Sequence, residues 1–352
     1  MHAADVHLDS PLRGLSRLGD DDLAGALRAA TRGALRNLVA LCEAQGADAL
    51  VLAGDLYDGT WHDYATGRFF TEQMRRLADS GVRVFLASGN HDAESQITRS
   101  LTLPPNVHVF AVDSAETVRA EDLGLAVHGQ GYRTKAVAAN LAAGYPARER
   151  DLVNVGVLHA AVEGSEGEHA RYAPCTVADL VALGYEYTAL GHIHARQTLS
   201  SGPHTVAYSG NLQGRHPRET GPKGAYVVDV EPEGVARAAF HPLDVARWEH
   251  LDVDVSGARD YPEVLTRLQG ALTAARAAAG DLPLVVRAQL TGSTPVAAEL
   301  ADAERLREEA EQVADAAGVT CERIRARTRA PQAAHPVDEE LLEALRRAAA
   351  AQ

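Results

Sequence analysis

Cysteine is scarce: Cys42, Cys175 and Cys321 are the only three in 352 residues, they lie far apart, and no Cys-x-x-Cys occurs. That excludes a disulfide framework and a thiolate zinc site and predicts reduced thiols buried in a core. Long apolar runs are missing as well. No stretch approaches the roughly 18 residues that a membrane helix needs. Asp5 and His7 interrupt the N-terminus where a secretory signal carries its apolar segment, so a cytoplasmic protein with no membrane partner is expected. Positive charge is in deficit, with 34 Lys and Arg against 48 Asp and Glu and a formal net charge of −14. A chain that coats nucleic acid through clustered cations is disfavoured, though a local basic groove is not. Two bound divalent ions would offset about four charges at their own site. No internal repeat is present. What remains, 46% hydrophobic and 23% charged residues, is the balance of a globular protein long enough for two domains.

The chain is organised around Ala49-Leu50-Val51-Leu52-Ala53-Gly54-Asp55, an apolar run uncharged until its last residue, as a strand buried on both faces reads. In open α/β sheets ligands bind at the carboxyl ends of the strands, so Asp55 is placed for chemistry. Four other strand-like runs end the same way. Met1 to Ala4 leads into Asp5-Val6-His7, and Val82 to Ala87 into Gly89-Asn90-His91-Asp92. Leu152 to Leu158 ends in His159, and Tyr187 to Leu190 in Gly191-His192-Ile193-His194. Five strands tipped with metal-ligand residue types point to one metal site.

Between these strands the pattern is helical. Asp20-Asp21-Asp22 reads as a helix start after a loop from Pro11 to Gly19, and Leu23, Leu27, Ala30, Ala34, Leu35, Leu38 and Leu41 recur at helical spacing. The loop from Leu56 to Tyr64 is rich in Asp, Gly and aromatics, and a helix from about Thr66 to Asp79 follows. After Pro104-Pro105, shorter strands at 107–110, 117–119 and 125–128 predict a second sheet facing the first. Residues 163–174 read as a surface loop, Thr176 as the cap of a short helix, and 206–208 and 225–230 as the last strands of this domain. The boundary is expected near 245. Residues 246–330 then read as a β-α-β-α-β cap without ligand clusters: strand 250–255, helix 261–279, strand 284–290, helix 296–317 and strand 319–326. Residues 331–352 are expected to be a linker, Pro331 to Pro336, and a final helix, Asp338 to Ala350.

A pair of divalent metals about 3.5–4 Å apart can activate a water and clamp the entering and leaving oxygens of a phosphoryl displacement. Mixed oxygen and imidazole ligands suit manganese, iron or zinc better than magnesium or calcium. Asp5, His7, Asp55, Asn90, His159, His192 and His194 supply that mixture. Asp5 with His7, and His192 with His194, are alternate residues that share a face of an extended strand. Taken singly, a strand-end Asp is a turn residue and a lone His-x-His is surface or core. Their joint occurrence in order is what no packing requirement demands. His62, His108, His128, His169, His204, His241 and His250 are left as structural, and Asp58, Asp63 and Glu94 as loop groups around the site.

Asp5-Val6-His7, Gly54-Asp55-Leu56-Tyr57-Asp58, Gly89-Asn90-His91-Asp92, His159 and Gly191-His192-Ile193-His194 resemble, in order, the motif set of the calcineurin-like metallophosphoesterases. Within them, residues 2–11 and Gly210 to His216, with Glu219, Lys223 and Gly224, look like bacterial DNA-repair exonucleases of the SbcD and YhaO type. The resemblance spans residues 1–245 and reaches the cap only in outline. It implies an α/β sandwich of two facing mixed sheets flanked by helices. It also implies two metal ions, manganese by preference: Asp5, His7, Asp55 and His194 on one, and Asp55, Asn90, His159 and His192 on the other. His91 would act on the substrate phosphate or leaving oxygen, oriented by Asp92. As partners it implies DNA, a Rad-fifty-like, SMC-type coiled-coil ATPase, and a second copy of the chain. Relatives carry a slightly longer first strand than the four residues before Asp5, and docking helices beyond the cap where here only Asp338 to Ala350 follow.

Two enzymatic expectations follow. One is a 3′-to-5′ DNA exonuclease of double-strand-break repair type with some endonuclease activity. The other keeps the chemistry on a small phosphodiester or phosphomonoester, favoured by the acidic charge. A non-enzymatic subunit is disfavoured by the intact ligand set. Arg215, His216, Arg218 and Lys223, close in sequence to the site, are candidates for contacting substrate phosphate, with simple loop solvation as the alternative.

Overall fold

The computed structural model describes residues 1–10, 27, 29–58, 64–94, 102–165, 170–230, 234–331, 346, 347 and 349. The expected helix start at Asp20 to Asp22, Leu23, His62, Asp63, His169 and nearly all of the linker and final helix lie outside them. The chain divides into two compact units, Met1–Glu249 with Asp281–Val285, and His250–Gly280 with Val286–Gln352.

The first unit holds two six-stranded mixed sheets. Its strands are β1 (His2–Ala3), β2 (Ala49–Ala53), β3 (Arg83–Ala87), β4 (Val107–Val109), β5 (Glu116–Ala120), β6 (Leu125–Gln130), β7 (Val153–His159), β8 (Tyr187–Gly191), β9 (Gln197–Ser200), β10 (Thr205–Tyr208), β11 (Gly224–Val230) and β12 (Ala236–Pro242). One sheet runs β12-β11-β1-β2-β3-β4 and the other β5-β6-β7-β8-β10-β9. β1, β2, β3 and β4 are mutually parallel, as are β6, β7, β8 and β10. β9 and β12 escape the sequence reading, for they are edge strands with polar or alanine-rich faces and no continuous apolar run.

Period-two alternation explains why β2 reads as unbroken apolar sequence. Leu50 and Leu52 face α1 (Ala30–Gln45) and α2 (Tyr64–Asp79), joining Leu35, Leu38, Phe70 and Met74 in one core. Val51 and Ala53 face the second sheet, where they meet Val127, Val157, Tyr187 and Ala189. A third cluster covers the outer face of the second sheet, from Leu158, Leu190 and Val206 to Leu180 of α3 (Val177–Ala182), a helix capped by the reciprocal Thr176–Asp179 pair. The layers are helix, sheet, sheet, helix, and the cores between them hold the strand ends in register.

The second unit contains α4 (Tyr261–Ala279) and α5 (Ala303–Ala316) with the three-stranded parallel sheet β13 (Arg247–Asp254), β14 (Leu284–Ser293) and β15 (Thr320–Arg329), whose first strands begin in the first unit. The single helix expected over 296–317 is two pieces. Pro295–Ala301 forms a 3₁₀ turn, and Asp302 then leaves helical geometry at φ −72°, ψ 94° so that its side chain can accept the Arg305 N–H and cap α5.

Candidate metal centre

Because the central strands of each sheet are parallel, their carboxyl ends emerge on one edge, carrying Asp5 and His7 after β1, Asp55 after β2, Asn90 and His91 after β3, His159 at the end of β7, and His192 and His194 after β8. The backbone there is bent out of extended geometry. Asp5 (φ 49°), His7 (φ 43°), Asp55 (φ 51°) and His192 (φ 100°) occupy left-handed backbone, four of the seven non-glycine residues that do so among the described residues. Each costs about 1–3 kcal/mol, held by the surrounding structure. Glycines allow the two sheets to approach: a Cβ on Gly54 would stand 2.3 Å from His159 Nδ1, and one on Gly191 1.8 Å from the Ala53 carbonyl.

Asp55 lies at the middle. Its Oδ2 is 3.8 Å from His7 Nε2 and 3.4 Å from His159 Nε2, and its Oδ1 accepts the His91 N–H at 2.9 Å. On one side, His194 Nε2 stands 3.2 Å from His7 Nε2 and 4.0 Å from Asp5 Oδ1. On the other, Asn90 Oδ1 lies 3.0 Å from His159 Nε2 and 3.2 Å from His192 Nδ1. All seven side chains are buried except that of His194, which is 14% exposed. The atoms of Asp5, His7 and His194, and those of Asp5, Asp55 and His159, fall within 4.8 Å of one another, as do those of His7, Asp55 and His91.

Hydrogen bonds on the far nitrogens aim three of these rings. His159 Nδ1 donates to the Ala53 carbonyl at 2.9 Å, His192 Nε2 to the Ala170 carbonyl at 2.7 Å, and His194 Nδ1 to Glu219 Oε1 at 2.6 Å. Each donation holds one proton outward and turns the other ring nitrogen inward, the one that offers its lone pair when a metal takes the place of a proton. Lone pairs of several imidazoles converging with two carboxylates and an amide oxygen fit divalent transition metals. His7 Nδ1, buried with no hydrogen-bond partner, belongs to the same strained arrangement.

Residues 1–196 match the calcineurin-like phosphoesterase family. The chain belongs to that family. Residues 248–329 match the middle domain of metallophosphoesterase YhaO. Among similar proteins, the uncharacterized metallophosphoesterase YhaO of Bacillus subtilis (strain 168) is 35% identical over 298 residues, 84% of this chain and 72% of that protein. The D component of the SbcCD nuclease of the same organism is 25% identical over 268 residues, 66% of each chain. The two facing mixed sheets with flanking helices are the sandwich expected of a calcineurin-like phosphoesterase, and the family implies divalent metal ions for the cluster above.

Asp92 does not orient His91 in this phosphoesterase. Its carboxylate accepts the backbone N–H groups of Leu56, Tyr57 and Gly89 at 2.9–3.1 Å, tying the turn after β3 to the turn after β2. Burial and the neighbouring Asp55 charge push its pKa up to about 6 against those donors. The partner of His91 is Asp58, whose Oδ1 lies 2.8 Å from His91 Nδ1 and whose Oδ2 accepts from Ser10 at 2.6 Å. Burial opposes charge on His91, but the Asp58 hydrogen bond and the charges of Asp55 and Asp58 outweigh it and raise its pKa. For His159, likewise, burial is outweighed by Asp55, which raises it to about 9, whereas burial drives His7 well below the usual range.

The cluster opens into a cleft of about 470 Å³ lined by Asp55, Asn90, His91, His192 and His194 and, opposite, by Arg215, His216, Arg218, Glu219 and Lys223. The basic residues are partly committed. Arg215 reaches Asp58 at 3.3 Å and Glu219 at 3.6 Å, Lys223 Nζ donates to the His194 carbonyl, and His216 Nε2 is 3.5 Å from Glu219. Glu219 is the residue that sequence reasoning passed over as a working part: it holds His194 and accepts from Asn211 and from the Arg215 N–H. A lone acid among Arg215, His216, Arg218 and Lys223 was its available signal. Three of the histidines read as structural make local contacts away from the cluster: His108 pairs with Glu116, His128 lies between Thr117 and Asn154, and His204 bonds the Tyr185 carbonyl.

Proposed function

We propose that the chain is a two-metal-dependent phosphodiesterase acting on DNA, with 3′-to-5′ exonuclease and some endonuclease activity. The observation that carries this reading is the convergence of seven ligand-type side chains from five strand ends onto an open cleft with Arg215, Arg218 and Lys223 on its wall. Asp5, His7, Asp55 and His194 would hold one ion and Asp55, Asn90, His159 and His192 the other, manganese in the favoured case. Bound there, the ions supply positive charge against phosphate oxygens and acidify water. Asp58 fixes His91 through Nδ1 and thereby presents Nε2 to the cleft, the position from which it can hand a proton to the leaving oxygen. Arg215 braces Asp58 and Glu219, so one guanidinium steadies both the proton donor and the ring of His194.

DNA is favoured by the kinship to a protein named as one component of a nuclease. The same name makes that relative part of an assembly and supports a partner subunit, which this reading takes to be a coiled-coil ATPase, together with a homodimer and a cytoplasmic setting. The internal pairing of Arg215 and Lys223 and the net charge of −14 support a second reading, a small phosphodiester substrate. Purified protein with manganese, offered end-labelled DNA beside a cyclic nucleotide and an aryl phosphodiester, separates the two. Shortening of the labelled DNA is the expected result; turnover of the small esters alone assigns the second.

A further inference from the structure

Strand β15 carries arginine at every second position, Arg323, Arg325, Arg327 and Arg329, and the metal centre uses none of them. Alternate residues of a strand share one face and stand about 6.7 Å apart. Exposure follows that period: Arg325, Arg327 and Arg329 are exposed, whereas Ala326 and Thr328 between them are part-buried. Arg323 and Arg325 line a groove of about 270 Å³ with His250 and Asp252 of β13 and Arg287 and Gln289 of β14. All of these residues belong to the second compact unit.

Packing gives no reason for the row. The unit builds its core from Val286, Ala288 and Leu290, which alternate with Arg287 and Gln289, and from Val264, Leu268 and Leu272 of α4. The acids beside it leave the row in excess. Glu322 is taken up by Arg287 through two hydrogen bonds of 2.5 and 3.0 Å, and Asp252, which accepts from the neutral Gln289 at 2.9 Å, can offset one charge of the four. The guanidinium groups of Arg323, Arg325, Arg327 and Arg329 make no hydrogen bond or ion pair among the described residues. A row of like charges repels itself, so it is a cost unless an anion covers it.

We propose that this face of the second unit docks the phosphate backbone of DNA. The inference rests on the reading of the chain as a DNA phosphodiesterase. A row of cations at one regular repeat suits a polyanion whose charges recur regularly along a continuous backbone. No Phe, Tyr or Trp lines the groove, and the row itself offers only charge to a phosphate backbone. In a chain of net charge −14, such a patch gives DNA a local attraction that the whole surface lacks.

The test is binding of a short labelled DNA duplex to the full chain, with chelator present to stop cleavage, measured against salt. Arg325→Ala with Arg327→Ala should weaken binding about tenfold and reduce the slope of log affinity on log salt by about 2, roughly one for each phosphate no longer engaged. Arg325→Lys with Arg327→Lys should keep most of both, and both double variants should hydrolyse an aryl phosphodiester at the wild-type rate. Unchanged DNA affinity and slope in the alanine variant overturn the proposal, as does an equal loss in the lysine variant. So does loss of binding to poly-glutamate with DNA binding intact, which would assign the face to an acidic protein. Those failures leave cleavage of DNA by the wild type, and so the nuclease reading, standing. Wild-type binding through these arginines without any cleavage of DNA supports the surface and removes the nuclease reading.

Discussion

His91 follows the proposed ligand Asn90 directly, and its nearest nitrogen falls within 4.8 Å of ligand atoms on His7 and Asp55, so proximity alone does not separate a proton donor from a metal ligand. Its hydrogen bond to Asp58 does give the two roles different consequences. As a donor it contributes about 10²- to 10⁴-fold in rate. His91→Ala should therefore keep both metals and bind DNA while losing that factor, and a substrate with a better leaving group should recover part of it. Metal analysis beside a leaving-group series decides, and metal lost from His91→Ala would make the residue a ligand. His159→Ala, in contrast, should lose activity by losing metal. The two nearby acids divide in the same way. Asp58→Asn should cost about 10- to 100-fold in activity, as removal of a group that orients a working side chain does. Asp92→Asn should instead lose about 1–3 kcal/mol of stability, because one of the two accepting oxygens becomes an amide NH₂ set against backbone donors. Denaturant midpoints and initial rates on the two variants test this division, and the opposite pattern would return the orienting role to Asp92.

At the level of elements, the centre depends on how closely the end of β8 approaches the end of β2. Gly191 stands where a methyl group would sit 1.8 Å from the Ala53 carbonyl, the same carbonyl that receives the His159 Nδ1 proton. Gly191→Ala must push β8 away from β2 and should cost about 3 kcal/mol or more. A lower denaturant midpoint at unchanged slope, with loss of metal binding, is the expected outcome. Retention of both would mean that the strand ends tolerate separation. This approach joins elements distant in sequence, and nothing in the Tyr187 to His194 motif marks Gly191 as anything beyond a turn. The β2 strand was legible because both of its faces are buried, which writes an unbroken apolar run; β9 and β12 were not, since an edge strand needs no such run.

For the whole molecule, the clustering of ligand groups makes metal a folding partner as well as a reagent. A ligand that binds only the native state stabilises it by about 2.7 kcal/mol at 100 times its dissociation constant. For a domain the size of the first unit that corresponds to a rise in Tm of about 5–10 °C. Manganese should produce such a shift in the wild type, chelator should reverse it, and activity should vanish and return in parallel. A Tm indifferent to manganese would remove the ions from the fold.

The order of motifs along the chain determined the family, the sandwich and which seven side chains converge, because parallel strands deliver their last residues to one edge and that rule needs only sequence order. The arginine row of β15 and the acid Glu219 were equally present in the sequence, yet alternation acquires meaning only once a strand is known to have an exposed face. Partnership was decided by tertiary structure alone. Asp92 adjoins His91 in sequence whereas Asp58 reaches it only in space, and the turns after β2 and β3 direct the distant carboxylate to the imidazole and bury the adjacent one among backbone donors. Hydrogen-bond direction depends on side-chain torsions and on which amides a turn leaves unpaired, and neither is written in the spacing of residues along the chain.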